Sequence, residues 1–238
     1  MKTLYLFDID GTLLYSDRRD SRSFATSYQS VFGRPFPTID WTRFPEVTDH
    51  VIFRTAFHDH FNRHASAQEQ QTFEQHYVEA LTHARSAEPT AFSEVPGALR
   101  YWRRLAQDPT AVLGVATGGW RRPQCVKLHH RGFPANPVYA GYADGKFSRV
   151  EILQCAIDAA RGDHDISRIV YFGDAVWDAL TCRKMNIPLV GVRRRGDHDV
   201  LTKLGVQQVI TDYRDPAAVD RAVSAALLST SSLKSYCR

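Results

Sequence analysis

A chain of 238 residues, 43% hydrophobic and 24% charged, has enough apolar surface for one sizeable α/β core plus a smaller inserted module, and it excludes disordered and fibrous classes. The formal net charge of +4 is scattered through mixed-sign segments without a dense basic run, which predicts a solvated surface and no nucleic-acid partner. No apolar stretch reaches the roughly 20 residues of a bilayer span, no signal-peptide pattern is visible, and Cys125, Cys155, Cys182 and Cys237 form no CxxC pair, so the expectation is no membrane partner and a cytoplasmic protein with reduced thiols.

The first apolar run, residues 4–7, predicts a buried strand. From about residue 16 to about residue 89 there are helical patterns and no convincing strand, and Ser66 with Glu69 forms a capping box opening a helix through about residue 85. Val51, Ile52, Phe53, Phe57, Phe61, Phe73, Tyr77 and Leu81 give this region its own apolar face. Strand and helix then alternate: helix 96–107, strand 111–116, helices 123–131 and 149–161, strand 169–172, helix 175–186, and strands 188–192 and 208–210. Gly132 and Gly162 are placed as helix C-terminal stops, and the last ten residues, rich in Ser, read as a frayed tail. Alternation of this kind predicts the α/β class, a Rossmann-like parallel sheet with helices on both faces. Residues 1–15 and 90–238 would form that core domain, and residues 16–89 a small α-helical cap domain over the sheet edge.

Three strand ends carry chemistry. Asp8-Ile9-Asp10-Gly11-Thr12 follows the first strand directly. Two carboxylates at the carboxyl end of a buried parallel strand repel strongly unless a cation intervenes, and an oxygen-preferring ion such as Mg²⁺ suits them. Thr117, Gly118 and Gly119 end the strand at 111–116 and offer a hydroxyl with free backbone N–H groups, a small phosphate-binding corner. Asp174 and Asp178 follow the strand at 169–172, and their four-residue spacing puts both on one side if a helix begins after Gly173. His60 and His64 have the spacing of a zinc pair, but without a third ligand they read as solvated helix-face residues.

The Asp8-x-Asp10-Gly11-Thr12 stretch resembles the first motif of the haloacid dehalogenase-like (HAD) hydrolase superfamily, Thr117 the second and the Gly173-Asp174…Asp178 stretch the fourth. The resemblance is to phosphatase-type members with an all-helical cap inserted after the first motif, such as phosphoglycolate phosphatases. It implies Asp8 as nucleophile, Asp10 as general acid and base, Thr117 and Gly118 as phosphoryl-binding groups, and Mg²⁺ held by Asp8, Asp10, Asp174 and Asp178. Asp178 has a second implied role, acting through water or on the neighbouring base. A third-motif cation is also implied. Lys146 and Arg149 are the candidates, with Arg149 slightly favoured because it stands at a helix start.

The implied activity is Mg²⁺-dependent hydrolysis of a small phosphorylated metabolite through an aspartyl phosphate. A phosphosugar mutase of the same superfamily, or a catalytically silent phosphometabolite-binding protein, are the alternatives. Dehalogenation is disfavoured because Asp10 is present, and Schiff-base chemistry is excluded because no lysine occurs between Lys2 and Lys127. Substrate identity would lie in the cap and in loops such as Trp120-Arg121-Arg122; the oligomeric state has no sequence signal.

Overall fold

The computed structural model describes residues 1–88, 90–194 and 196–226; Cys237 and the Ser-rich last ten residues lie outside them. Strand β1 (Lys2–Phe7) pairs in parallel with β4 (Ala111–Ala116) on one side and β6 (Ile166–Gly173) on the other. The sheet continues through β5 (Tyr139–Gly141) beyond β4, and through β7 (Leu189–Val192) and β8 (Gln208–Ile210) beyond β6. Each neighbouring pair is parallel. From β1 the chain therefore builds outwards in one direction and later in the other, which opens a crevice at the carboxyl ends of β1, β4 and β6.

Alternation along the strands divides the core into two layers. Leu4, Leu6 and Tyr171 face a layer closed by Ile152, Leu153, Ala156 and Ile157 of α6 (Arg149–Asp163) and by Ala179 and Cys182 of α7 (Val176–Met185). Phe7, Val170 and Phe172 face the opposite layer, closed by α4 (Ala98–Leu105) and α9 (Pro216–Ala225). The remaining helices on the sheet are α5 (Arg121–His130), after β4, and the short α8 (Asp199–Thr202).

Between residues 16 and 88 the described elements are helical: α1 (Asp17–Phe32), a 3₁₀ turn at Trp41–Arg43, α2 (Asp49–Phe61) and α3 (Ala67–Ala87). Thr48 caps α2 through its hydroxyl, and the Ser66–Glu69 capping box opens α3 as its sequence predicts. Two short strands, β2 (Leu14–Tyr15) and β3 (Ser93–Glu94), pair antiparallel where the chain leaves for and returns from this helical insertion. The insertion has an aromatic interior: Phe24 packs edge-on against Phe73 and Tyr77 at 4.8 and 5.2 Å, and Phe53 stacks on Phe73 at 5.0 Å.

Trp120, from the loop between β4 and α5, penetrates that interior. Its ring lies 6.1, 5.8 and 5.8 Å from Phe24, Phe53 and Phe73, and it is 1% exposed. The sheet domain thus donates a large side chain to the helices above it.

Expected and observed elements differ at strand β5, the β2–β3 pair, helices α8 and α9, and the end of α6. Strand β5 and the β2–β3 pair are too short to show an apolar period. Gly162 does not stop α6, which runs one residue further to Asp163 and is capped at His164 in extended backbone; Gly132 does adopt the left-handed conformation after α5. No helix among the described residues is long and apolar enough to cross a membrane.

Truncating Trp120 removes packing from both parts of the molecule at once. Trp120→Ala is expected to lower unfolding free energy by about 3–5 kcal/mol, whereas Leu180→Ala, on a side chain 50% exposed, should stay within about 0.5 kcal/mol. Denaturant titration of both variants checks this.

Candidate active site

The loop after β1 is folded tightly back on itself, with the N–H groups of Thr12, Leu13 and Leu14 all directed at the carbonyl of Ile9. Gly11 has φ +83°, and a Cβ there would overlap the Asp174 carboxylate, so glycine is needed both for the turn and for the close approach of Asp174. Asp8 continues the sheet ladder by donating its N–H to the Phe172 carbonyl at 2.9 Å. Its side chain is buried, and its Oδ1 has no hydrogen-bond partner.

Asp8, Asp174 and Asp178 offer carboxylate oxygens that all lie within 4.8 Å of one another. Thr117, at the end of β4, is buried and lines the same cavity as Asp8, and its side chain acts to lower the Asp8 carboxyl. Arg149 begins α6 behind the Ser148–Glu151 capping box and is 4% exposed. Its Nη2 donates to Asp178 Oδ1 at 2.5 Å and to the Tyr171 hydroxyl at 3.2 Å, and lies 3.5 Å from Asp8 Oδ1. Arg149, then, is the cation beside Asp8; Lys146 sits in the preceding turn next to Gly145 and is not among the ion-pair partners of the cluster. Gly118 makes room for the same arginine, because a Cβ there would meet Arg149 Nη1 at 2.5 Å.

Burial and the charge of Asp178 push the Asp8 carboxyl up to about 7, with Arg149 partly opposing them. Asp174 is held well above the usual carboxylate range by burial and then by the charges of Asp178 and Asp8, against the nearby Arg193. Asp178 has its oxygens occupied: Oδ1 by Arg149 and Tyr171, Oδ2 by the N–H groups of Asp174 and Ala175 at 3.1 and 3.0 Å. A divalent ion fits this group. The donors are all oxygen, the net local charge is negative, and Asp8 Oδ1 is a buried acceptor with no donor.

The Asp10 side chain stands outside that cluster. Both its oxygens accept from Lys127 Nζ at 2.7 Å, Oδ2 accepts from Gln124 at 2.9 Å, and Oδ1 accepts from Ser16. Burial alone would raise the Asp10 carboxyl, but Lys127 and these hydrogen bonds bring it below its ordinary value. Of the four acids expected around one ion, three carboxylates converge and the fourth is tied to a buried lysine.

Two cavities meet at this point. One, of ≈ 90 Å³, is lined by Asp8, Thr117, Gly118 and Arg149 on the sheet side and by Phe24, Val47 and Ile52 of the insertion. The other, of ≈ 340 Å³, is lined by Gly11, Asp174, Tyr15, Arg193 and Arg194. Asp10, Asp20 and Trp41 border both. Arg121 and Arg122 are exposed and line neither, so the cations of that loop face solvent. His60 accepts or donates at the Tyr28 hydroxyl, 3.0 Å away, rather than forming part of any acid or metal cluster.

Several site residues carry no motif. Lys127, Gln124, Arg193 and Asp20 are ordinary polar residues in helix or loop patterns, and the burial of Gln124 and Lys127 on one face of α5 emerges only in the structure. Asp49 is another. Its N–H donates to the Gly118 carbonyl at 2.7 Å, its Oδ2 accepts from the Trp120 N–H at 2.9 Å, and burial with the charge of Asp20 pushes its carboxyl up to about 8.

No protein-family model matches the chain, and no curated protein does. Solved structures do. A hydrolase from Pseudomonas syringae superposes with a TM-score of 0.68 at 16% identity, covering 95% of this chain and 100% of that one. CbbY from Rhodobacter sphaeroides in complex with phosphate gives 0.66 at 14%, covering 92% and 100%. A family IA, variant 3 HAD hydrolase from Entamoeba histolytica gives 0.63 at 14%, covering 94% and 100%. The chain has the fold of these proteins, a Rossmann-like sheet carrying a helical insertion.

The pKa displacement sets a pH dependence for ion binding. Folded Asp8 keeps its proton up to about pH 7, whereas the unfolded chain releases it near pH 4. Between those values the folded state binds more protons, so this group's contribution to stability declines as pH rises through the window. A cation would replace the lost protons. Mg²⁺ should therefore raise the melting temperature by several degrees more at about pH 8 than at about pH 5.5, and equal shifts at the two pH values would contradict the reading.

Proposed function

We propose that the chain is a HAD-type phosphatase that hydrolyses a small phosphate monoester with Mg²⁺, residues 16–89 acting as the cap over a core of residues 1–15 and 90–238. The observation that carries this is the convergence of Asp8, Thr117, Arg149 and Asp174 from four distant stretches of sequence on one buried crevice of a HAD-type fold. Such a set is more than structural packing requires, because it concentrates like charge in a dry place.

In the proposed reaction the Asp8 carboxylate attacks phosphorus and forms an aspartyl phosphate. The ≈ 90 Å³ cavity beside it suits a phosphoryl group, with the Thr117 hydroxyl, the backbone N–H groups of the glycine corner and the Arg149 guanidinium as donors to its oxygens. Asp8 and Asp174 would hold Mg²⁺, which supplies neutralisation of the nucleophile and the phosphate during in-line transfer. Asp178 keeps Arg149 and the Asp174 loop in place through the bonds described above. Asp10, on the wall shared with the larger cavity, is ionised beside Lys127 before substrate arrives; it takes up the proton that a monoanionic phosphate ester brings, passes it to the leaving-group oxygen, and later takes one from the water that cleaves the acyl phosphate. The leaving group occupies the ≈ 340 Å³ cavity, near the lower end of the range for small-molecule sites, so a small phosphorylated metabolite is the proposed substrate class. Cys125, Cys155 and Cys182 are free, in keeping with a reducing, cytoplasmic setting.

The test is Mg²⁺-dependent release of inorganic phosphate from p-nitrophenyl phosphate and from a panel of phosphorylated metabolites. Asp8→Asn should lower turnover by more than about 10³-fold and Thr117→Ala by about 10²-fold. Turnover by Asp8→Asn at the wild-type rate would refute the assignment.

A further inference from the structure

Lys127 is a lysine with no exposed side-chain surface, placed on α5 where the sheet domain meets the helical insertion. Its ammonium has three donors and uses them on two carboxylates: both oxygens of Asp10 at 2.7 Å and Oδ1 of Asp20 at 3.0 Å. Asp20 belongs to α1 of the insertion and is held in turn by the Tyr77 hydroxyl of α3 at 2.6 Å. A continuous, partly buried chain of charge-assisted bonds thus runs from the loop of the nucleophile, through Lys127, into two helices of the insertion.

A buried lysine without partners is strongly unfavourable, and a buried ion pair is seldom kept for stability alone, since apolar residues of like volume usually serve as well. The molecule already has an apolar device at the same junction, Trp120 among Phe24, Phe53 and Phe73. What Lys127 adds is direction. A carboxylate on a two-torsion side chain has its rotamer fixed only when both oxygens are engaged, and about a third of the Asp10 side chain still faces the cavities, at 31% exposure.

We propose that Lys127 is a positioning residue for Asp10: it sets where the proton-carrying oxygen of Asp10 stands relative to the leaving group, and through Asp20 it makes that placement depend on the seating of the insertion. The inference rests on the phosphatase reading above, in which Asp10 carries protons. Lys127 itself lines neither cavity.

Leaving-group dependence separates positioning from a merely structural role. p-Nitrophenolate departs without a proton and an alkoxide does not, so a displaced Asp10 penalises alkyl phosphates selectively. Lys127→Met is expected to lower kcat/KM for alkyl phosphates by about 10²-fold and for p-nitrophenyl phosphate by less than about tenfold, with Mg²⁺ affinity unchanged. Lys127→Arg should recover part of the difference. Asp20→Asn, which keeps the Lys127–Asp10 pair and the shape of a side chain 21% exposed, should move the same ratio in the same direction by a smaller factor. Equal losses on both substrate types in Lys127→Met, or in Asp20→Asn where the first variant does not fold, would overturn the role of Lys127 and leave the phosphatase assignment standing. Absence of Mg²⁺-dependent turnover by the wild type on every phosphate ester would overturn both.

Discussion

Mutual repulsion of carboxylates in a dry crevice is the constraint around which the molecule is organised. Three acids bring oxygens within 4.8 Å of one another, and at an effective dielectric of about 20 each fully ionised pair at that separation costs about 3 kcal/mol. Sums of that size rival the whole stability of a typical domain. The fold meets the cost with Arg149 against Asp8 and Asp178, with Arg193 against Asp174, and with retained protons. A divalent cation would serve the same end more completely, and it would turn that repulsion into affinity.

The position of this crevice follows from the sheet. β1 lies between β4 and β6, so the loops after these three strands share one opening, and each brings a different kind of group: carboxylates, a hydroxyl with free N–H groups, and a second pair of carboxylates. Glycine at position 11 allows the first and third to touch, and glycine at 118 leaves space for the guanidinium that balances them. The helices on either face hold the strands in register; the chemistry sits where their packing leaves off.

Much of this is legible in the chain itself. β1, β4 and β6 are apolar runs bounded by turn chemistry and ending in chemically unusual residues, which marks them as buried strands. Strand β5 and the β2–β3 pair escape notice because three or two residues cannot display a period, and Gly162 misleads because a helix end is set by local hydrogen bonding as much as by composition. The partners of Asp10 are a different matter. Lys127 and Asp20 are 107 residues apart, and nothing in either segment distinguishes a buried ion-paired lysine from a solvated one. Their meeting depends on how the helical insertion lies on the sheet, which local propensity does not encode. The cation beside Asp8 is partly legible: a helix start favours Arg149 over Lys146, and the direction of α6 then brings Arg149 to Asp8.

Ion binding probes the central claim without recourse to catalysis. Mn²⁺, which shares the preference of Mg²⁺ for oxygen donors, can be followed by electron paramagnetic resonance of the free ion during titration of the protein. The account predicts one Mn²⁺ per chain, displaced by Mg²⁺, with affinity reduced more than about tenfold in Asp174→Asn. Wild-type Mn²⁺ affinity in Asp174→Asn would contradict it.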